Sequence, residues 1–346
     1  MKIAVGLSGG VDSSVVAALL REAGHEVVGI TMKLWQGKYQ GGTKDACFGP
    51  GEEEDIRCAE SLCRQLGIEH RVFDCGDEYE RLVLDNFRKE YLAGRTPNPC
   101  IRCNAFLKFG LLPTLARKAG IEFDKFATGH YARIREEGGV FHLLRGVDET
   151  KDQSYFLYRL TQRQLSGLLF PLGEKRKTEV RELARRFGLA VQDKGDSQDF
   201  YSGDHNELLR EPDRPGKIVD LQGNVLGTHH GFWHFTVGQR KGLGIASPKP
   251  YYVLELRSCA NEVVVGSQED TRHREVTLSE CHWIVEPPTG HVQVKIRSAA
   301  KLLPAEIHGE TLVFPGGVQA AAKGQSAVLY RDEELLGGGL IDSVGC

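Results

Sequence analysis

Apolar runs of strand length alternate with stretches of helical period through the first third of the chain. Ile3 to Leu7 is a short apolar run that stops at Ser8-Gly9-Gly10, after which Asp12-Ser13-Ser14 opens an apolar helix. The pattern predicts a second strand over Glu26 to Thr31, ending at Met32, a helix over Glu52 to Leu66 stopped by Gly67, and a third strand over His70 to Phe73. Helices are expected over Asp77 to Tyr91 and Asn104 to Ala119, then a strand over Phe123 to Ala127 that runs into Thr128-Gly129-His130. This βαβα order predicts an α/β domain, a mainly parallel sheet with helices on both faces. Ligands of such sheets sit beyond the carboxyl ends of the strands, where the Ser-Gly-Gly loop, Met32 and Gly129 all fall. A further amphipathic helix is expected over residues 177–189. After about residue 204 helical period gives way to short strands and glycine turns, among them GKIVD, YYVLEL, NEVVVG, HVQVKIR and GQSAVLY. The expected organisation is a nucleotide-binding domain over 1–204, a small β-rich domain over 205–269 and a β-barrel-like domain over 270–346.

The segment joining the first strand to the first helix suits a phosphate. Gly9 and Gly10 let the backbone turn sharply and bring bare N–H groups near an anion. The following helix aims its unpaired amides and positive end at the same point, and Ser13 and Ser14 would cap that helix or bond a phosphate oxygen. No lysine follows the glycines, so this is not a Walker A loop. SGGVDSS instead resembles the PP-loop of ATP pyrophosphatases, which split ATP between the α and β phosphates and leave AMP on a substrate oxygen. A plain Gly-Ser turn is the simpler alternative, but strand, loop and helix all fall where the motif requires them.

Composition places the chain among ordinary globular proteins: 346 residues, 40% hydrophobic and 26% charged. No apolar run approaches the roughly 20 residues of a membrane span. The first residues carry no signal-peptide core, so a cytoplasmic protein with no membrane partner is expected. Nine cysteines in such a chain point to catalysis, metal or sulfur chemistry more than to structural disulfides. A net charge of −3 gives no global nucleic-acid signal, so RNA contacts would need local patches. Candidates are Lys175-Arg176-Lys177 with Arg181, Arg185 and Arg186, then Arg240-Lys241, then Lys295 with Arg297.

The second informative segment is Thr96-Pro97-Asn98-Pro99-Cys100-Ile101-Arg102-Cys103-Asn104. Two prolines predict a stiff extended loop, with Cys103 and Asn104 opening a helix. A thiol there, in a C-x-x-C pair and beside Arg102, is expected to ionise easily. The segment suits a nucleophilic thiolate, a redox pair or two metal ligands. Cys58 and Cys63, five apart on a helix, face different ways and give little support to a closed four-cysteine zinc site.

With these residues in view the chain resembles the tRNA-specific 2-thiouridylases. SGGVDSS, TPNPCIRCN, ATGHYAR (127–133), KDQSYFLY (151–158), PGKIVD (215–220), HFTVGQRKGLGI (234–245), GQSAVLY and LGGGLI occur in that family's order and span nearly the whole chain. The resemblance implies an ATP-dependent tRNA-uridine 2-sulfurtransferase. ATP adenylates the C2 oxygen of the wobble uridine, AMP leaves, and a cysteine-borne sulfur takes its place. The base must leave the anticodon stack to reach the pocket. By resemblance Gly6, Leu7, Ser8, Gly9, Gly10, Val11, Asp12, Ser13, Met32 and Gly129 contact ATP, and Asp12 helps hold Mg²⁺. Cys103 matches the nucleophile. Asn98, Pro99 and Cys100 lie against the target base, and His130, Lys151, Asp152, Gln153, Arg297, Ser298 and Gln325 match tRNA-contacting positions. His130 as a satisfied core histidine is the plainer reading. The implied partners are tRNA and a sulfur donor, either a protein or free sulfide. A PP-loop ligase of small molecules, of the argininosuccinate synthetase kind, is the alternative. It shares the loop but leaves TPNPCIRCN and the β-rich half unexplained.

The chain also departs from the family pattern. Well-known members carry Asp at the position of Cys100 and a second catalytic cysteine in a motif like D-S-x-x-I-C-F. Here that stretch reads Asp196-Ser197-Gln198-Asp199-Phe200-Tyr201, so Tyr201 stands where a sulfur carrier is expected. Two readings follow. Cys100 takes over the lost role, expelling sulfur by closing a C-x-x-C disulfide. Alternatively Cys100 and Cys103 hold an iron–sulfur cluster, with a third ligand from Asp199 or a cysteine such as Cys47. The lack of a docking cysteine for an external donor tips the expectation toward the cluster.

Overall fold

The computed structural model describes residues 1–42, 46–192, 194–195 and 199–345. In chain order the first elements are strand β1 (Lys2–Gly6), helix α1 (Val11–Glu22), β2 (Glu26–Lys33), β3 (Ala46–Phe48), α2 (Glu52–Leu66) and β4 (Glu69–Asp74). Next come α3 (Gly76–Tyr79), a π-helical turn Glu80–Leu84 and α4 (Asp85–Leu92). A long helix follows in three parts: α5 (Pro99–Arg102), a π-helical stretch Cys103–Leu111 and α6 (Leu112–Lys118). The series continues with β5 (Lys125–Ala127), β6 (Ala132–Glu137), β7 (Val140–Arg145), α7 (Gln162–Ser166), β8 (Leu168–Leu169), α8 (Lys177–Arg186) and β9 (Asp199–Tyr201). The expected βαβα elements are present, several with ends moved by one or two residues.

The chain divides into two units, Met1–Val83 with Pro99–Glu207 and Glu333–Leu335, and Leu84–Asn98 with Leu208–Asp332 and Leu336–Cys346. In the first, a parallel sheet runs in the order β4-β2-β1-β5-β8. The chain builds outward from β1 through β2 to β4, then returns to the other side of β1 with β5. The order therefore reverses between β1 and β5, which opens a crevice at their carboxyl ends. Ile3, Val5 and Leu7 of the central strand pack with Val15, Val16 and Ala17 of α1 and with Val180 and Ala184 of α8. Burying that much branched aliphatic surface is the main stabilising term for the unit. α1 is apolar nearly all round because strands, α2 and α8 enclose it. α2 is amphipathic and ends at Gly67 in the left-handed conformation (φ 64°), where a side chain would be strained.

Two features differ from the sequence expectation. The helix carrying the cysteine pair starts at Pro99, five residues before Asn104. Proline fits the first position of a helix, where its missing N–H has no intrahelical partner to lose. The expected extended loop therefore ends at Asn98. Second, β6 and β7 form an antiparallel hairpin, with Glu137 opposite Val140. Gly138 and Gly139 both take positive φ (58° and 82°), the requirement of a tight two-residue turn. β7 also pairs with Glu334 and Leu335.

The second unit is β-rich, as expected. Gly216–Val219, Val225–His229, Tyr252–Arg257 and Glu262–Gly266 form a four-stranded sheet. Downstream, Arg272–Trp283 pairs with both Thr311–Gln319 and the final strand Glu334–Gly345, which closes a barrel through Leu303–His308, Gly290–Lys295 and Ser326–Arg331. Its interior is filled by Val276, Val294, Ile307, Phe314, Leu329 and Ile341 among others. Closure leaves no unpaired strand edge within the ring.

Candidate active site

The Ser8-Gly9-Gly10 turn joins β1 to α1 at the crevice mouth. Gly9 has φ 68°, and a side chain there would stand 2.4 Å from the Asp55 carbonyl oxygen, so only glycine fits. Gly10 occupies the N-cap position of α1 without a side chain to fill the anion space. The serines do not cap this helix as expected. Ser14 Oγ donates to the Gly10 carbonyl at 2.7 Å, and Ser13 Oγ accepts from the Ser8 amide at 3.2 Å. They brace the turn instead, and the amides at the start of α1 stay available for a phosphate. β2 fixes the neighbouring wall. The Leu7 amide donates to the Ile30 carbonyl and Thr31 Oγ1 donates to the Leu7 carbonyl, which sets Met32 just beyond the loop. Gly129 follows β5, and a Cβ there would lie 2.8 Å from the Ser13 nitrogen. The structure thus brings Gly6 to Ser13, Met32 and Gly129 to one place.

Two lysines flank this loop that the sequence did not single out for it. Lys177 Nζ donates to both oxygens of Asp12, at 2.7 and 2.9 Å, and Tyr131 donates its hydroxyl to Oδ1 at 2.8 Å. Lys194 Nζ pairs with Asp55 and donates to the Gly9 carbonyl at 3.3 Å. Each lysine lies more than 150 residues from its loop partner in sequence and meets it only in the fold. Their signal in the sequence was misassigned or absent. Lys177 counted as part of a surface basic patch, yet it is 9% exposed. Arg181 and Arg186 of the same patch are also engaged, with the Gln192 carbonyl and with Glu22.

The two thiols stand one helical turn apart, on one face of the helix that starts at Pro99. No described cysteine is in a disulfide. Both are half-exposed by surface area but densely surrounded by protein. Desolvation therefore pushes the Cys103 thiol up to about 11, opposed by Lys108, and pushes Cys100 higher still, with Cys47 and Cys103 adding to the rise. Contrary to the expectation from sequence, neither thiol ionises easily. Cys103 is the fifth residue of the helix, beyond the first turn where free amides favour a thiolate. Arg102 is not the helping cation. Its Nε donates to the Leu82 carbonyl at 3.0 Å and its guanidinium lies 5.1 Å from the Phe106 ring centroid. Lys108 takes that role because a π-helix has a wider turn, so residues five apart share a face. Gln164 supports the π stretch, donating from Nε2 to the Ala105 and Phe109 carbonyls at 3.0 and 3.2 Å.

One dipeptide connects loop and thiols. Gly129 abuts the start of α1, while the next residue, His130, packs its ring 5.3 Å from that of Phe109 on the cysteine-bearing helix. His130 Nδ1 bonds Thr128 Oγ1 at 2.7 Å. Desolvation and then Lys108 hold its pKa well below the ordinary value, so the ring is neutral at pH 7. It is half-exposed and carries both a packing contact and an open edge.

The Asp152 side chain is fully buried and accepts from the Gly146 and Ser154 amides, both at 3.1 Å. Gln153 accepts from the Tyr131 amide at 3.0 Å, and Lys151 beside them is half-exposed. These residues secure the turn that carries Tyr131. Asp199 begins β9, partners Ala46 and lies 3.3 Å from His205. The preceding Asp196, Ser197 and Gln198 lie outside the described residues. Tyr201 is fully buried, bonded through its hydroxyl to Glu207 and the Gly41 amide, so it serves as packing. Asn98, Arg297, Ser298 and Gln325 belong to the second unit. There Gln325 Nε2 donates to the Thr96 carbonyl at 3.1 Å, and Arg297 donates to the Val237 and Ala320 carbonyls, both at 3.0 Å. Lys295, grouped with Arg297 in a basic patch, is buried.

Comparison with known proteins gives the family. Residues 1–201 match the family model described as the tRNA methyl transferase HUP domain, 208–267 its PRC-barrel domain and 273–341 an aminomethyltransferase β-barrel domain. The chain is 45% identical to the tRNA-specific 2-thiouridylase MnmA of Endomicrobium trichonymphae, over 99% of each chain. It is 44% identical to that of Geobacter metallireducens, over 99% of this chain and 97% of the other. At this identity and coverage the chain belongs to the tRNA-specific 2-thiouridylase family.

Proposed function

We propose that this protein replaces the C2 oxygen of the wobble uridine of tRNA with sulfur, releasing AMP and pyrophosphate. The observation that carries the reading is the Gly129-His130 dipeptide: one residue touches the nucleotide loop and the next touches the helix bearing Cys100 and Cys103. Activation at the loop and sulfur delivery from the helix then act on one base. Oxide is a poor leaving group, so ATP first places AMP on the C2 oxygen. The amides of Gly9 to Ser13 hold the phosphates, with Gly6, Met32 and Gly129 shaping the nucleotide site. Cys103 bears the transferred sulfur and attacks C2 as AMP departs. Cys100 then attacks Cys103 Sγ, which leaves sulfur on the base and a Cys100–Cys103 disulfide, and a dithiol reductant resets the pair. Asn98, Pro99 and Cys100 face the base, while His130, Lys151, Arg297, Ser298 and Gln325 meet the RNA.

Two further groups, Mg²⁺ and an iron–sulfur cluster, bear on this site. Both oxygens of Asp12 are taken by Lys177, so this carboxylate is not presented to Mg²⁺, and no step is routed through a protein-held magnesium. Among the described residues no three His, Cys, Asp or Glu side chains are grouped to hold a metal ion. The donor set Cys100, Cys103 with Asp199 or Cys47 does not fit an iron–sulfur cluster as it stands, and the thiol pathway needs none. The small-molecule ligase alternative gives the thiol-bearing helix and the β-rich half nothing to do.

The test supplies unmodified tRNA, ATP, a persulfide and a dithiol reductant, and reads retarded tRNA on a mercury-containing gel. The wild-type chain gives retarded tRNA with matching AMP. Cys100→Ser and Cys103→Ser each lose the product while ATP binding persists. AMP formed on a small amine or acid without tRNA would establish the ligase instead.

A further inference from the structure

The cysteine pair has a third thiol beside it. Cys47 lies on β3, which pairs in parallel with β9 so that Ala46 partners Asp199 and Phe48 partners Tyr201. The strand is held firmly. Phe48 is buried, its ring 4.8 Å from Tyr79, 5.0 Å from Trp35 and 5.9 Å from Tyr201. Glu52 at the start of α2 accepts from the Leu34 and Trp35 amides, both at 2.8 Å, and fixes the chain just after β2. Tyr79 ends α3, which packs on the π-helical stretch starting at Cys103. β3 is thus fastened to the element that bears the nucleophile. Cys47 is among the groups that raise Cys100, Cys103 and Tyr79, so it faces the same space as the pair, although the three sulfurs are not gathered closely enough to hold a metal ion. It differs from them in being exposed, whereas both members of the pair are half-buried.

We propose that Cys47 is the entry thiol of the reaction, taking sulfur from an external persulfide and passing it to Cys103. This rests on the sulfur-transfer reading above and adds a residue to it. The cysteine that the family pattern places at Tyr201 would then be replaced from the adjacent strand. The Cys47 thiolate attacks the outer sulfur of a donor R–S–SH; the S–S bond breaks, R–SH leaves, and Cys47–S–SH forms. The Cys103 thiolate attacks that outer sulfur, giving Cys103–S–SH and returning Cys47 as a thiol. Neither exchange changes the number of electrons, and the only oxidation is the later closure of Cys100 with Cys103, reversed by the dithiol. An exposed thiol suits the first exchange because a donor must reach it. A shielded thiol suits the second, because the persulfide is then kept from solvent reductants.

The test compares the full chain with Cys47→Ser on unmodified tRNA and ATP, using glutathione persulfide or sodium sulfide as the sulfur source. Sulfide attacks adenylated C2 directly and needs no entry thiol. Cys47→Ser should fall by about tenfold or more with persulfide and match wild type with sulfide. Persulfide treatment without ATP should also leave the Cys47 peptide one sulfur atom heavier by mass spectrometry. Cys259→Ser, which removes an exposed cysteine of the second unit, should change neither rate. Wild-type turnover of Cys47→Ser with persulfide would overturn the inference, and so would equal loss with both sources, since Cys47 would then serve shape. Failure of the wild-type chain to make 2-thiouridine from either source would sink the sulfur-transfer reading itself.

Discussion

At the scale of single residues, the chemistry depends on charges and thiols whose behaviour is set by their neighbours. Cys103 has its pKa lifted to about 11 by desolvation, with Lys108 pulling the other way. Only the ionised form reacts, and a raised pKa means that this form grows with pH until about 11. Alkylation of Cys103 by iodoacetamide should therefore be slow at neutral pH and rise about tenfold per pH unit into the alkaline range. Lys108→Met removes the opposing cation, so labelling at any one pH should slow several-fold. A pH-independent rate, or faster labelling in the variant, would show that the surroundings favour the thiolate after all. The same lesson applies to Lys177 and Lys194. In the sequence they are ordinary cations, whereas in the fold they neutralise Asp12 and Asp55 around the nucleotide loop.

At the scale of elements, two junctions position the chemistry. One is the turn from β1 into α1 together with the turn after β5. Gly129 is glycine because a Cβ would sit 2.8 Å from the Ser13 nitrogen and 2.9 Å from the Asp12 carbonyl carbon. Backbone cannot yield as a flexible side chain can. Gly129→Ala should cost about 1–3 kcal/mol in urea unfolding. It should also weaken ATP binding measured by calorimetry, because it displaces the amides at the start of α1 that the proposed site would turn toward the phosphates. Unchanged affinity would separate Gly129 from the nucleotide site. The other junction is the passage from α5 into the π-helical stretch. Its wider turn aligns Cys103 with Lys108, and Gln164 satisfies carbonyls within it. The sequence between Cys103 and Leu111 reads as regular helix, since π and α turns demand the same side-chain types.

At the scale of the whole molecule, the chain comprises two units with their own cores, one around β1 and α1 and one inside the barrel. Phe314 is 1% exposed within the barrel. Phe314→Ala should cost about 3–5 kcal/mol in that unit. Hydrogen exchange read by mass spectrometry should show protection falling in Leu303–His308 and Thr311–Gln319 while β1 and β2 keep theirs. Equal loss in both places would mean that the units open as one. The net charge of −3 adds that tRNA binding relies on local cations, and several of those proposed from sequence are engaged or buried in the fold.

Local pattern alone determined a good deal. Strand, glycine turn and helix around Ser8-Gly9-Gly10 were legible because apolar period and turn residues are short-range properties. The boundaries of α2 were legible for the same reason, as was the change to β character after residue 204. The C-x-x-C pair was visible as chemistry, though the start of its helix at Pro99 was not, because two prolines read equally as an extended loop or a helix opening. The hairpin of β6 and β7 carried a usable signal in Gly138-Gly139 that the alternating pattern of the domain overshadowed. Only the tertiary structure decided which groups meet. It brought Lys177 and Tyr131 to Asp12, set Lys108 rather than Arg102 against the thiols, and laid Cys47 on the strand beside Tyr201. Proximity and desolvation belong to the folded arrangement. They depend on contacts between residues far apart in sequence, which a linear pattern does not encode position by position.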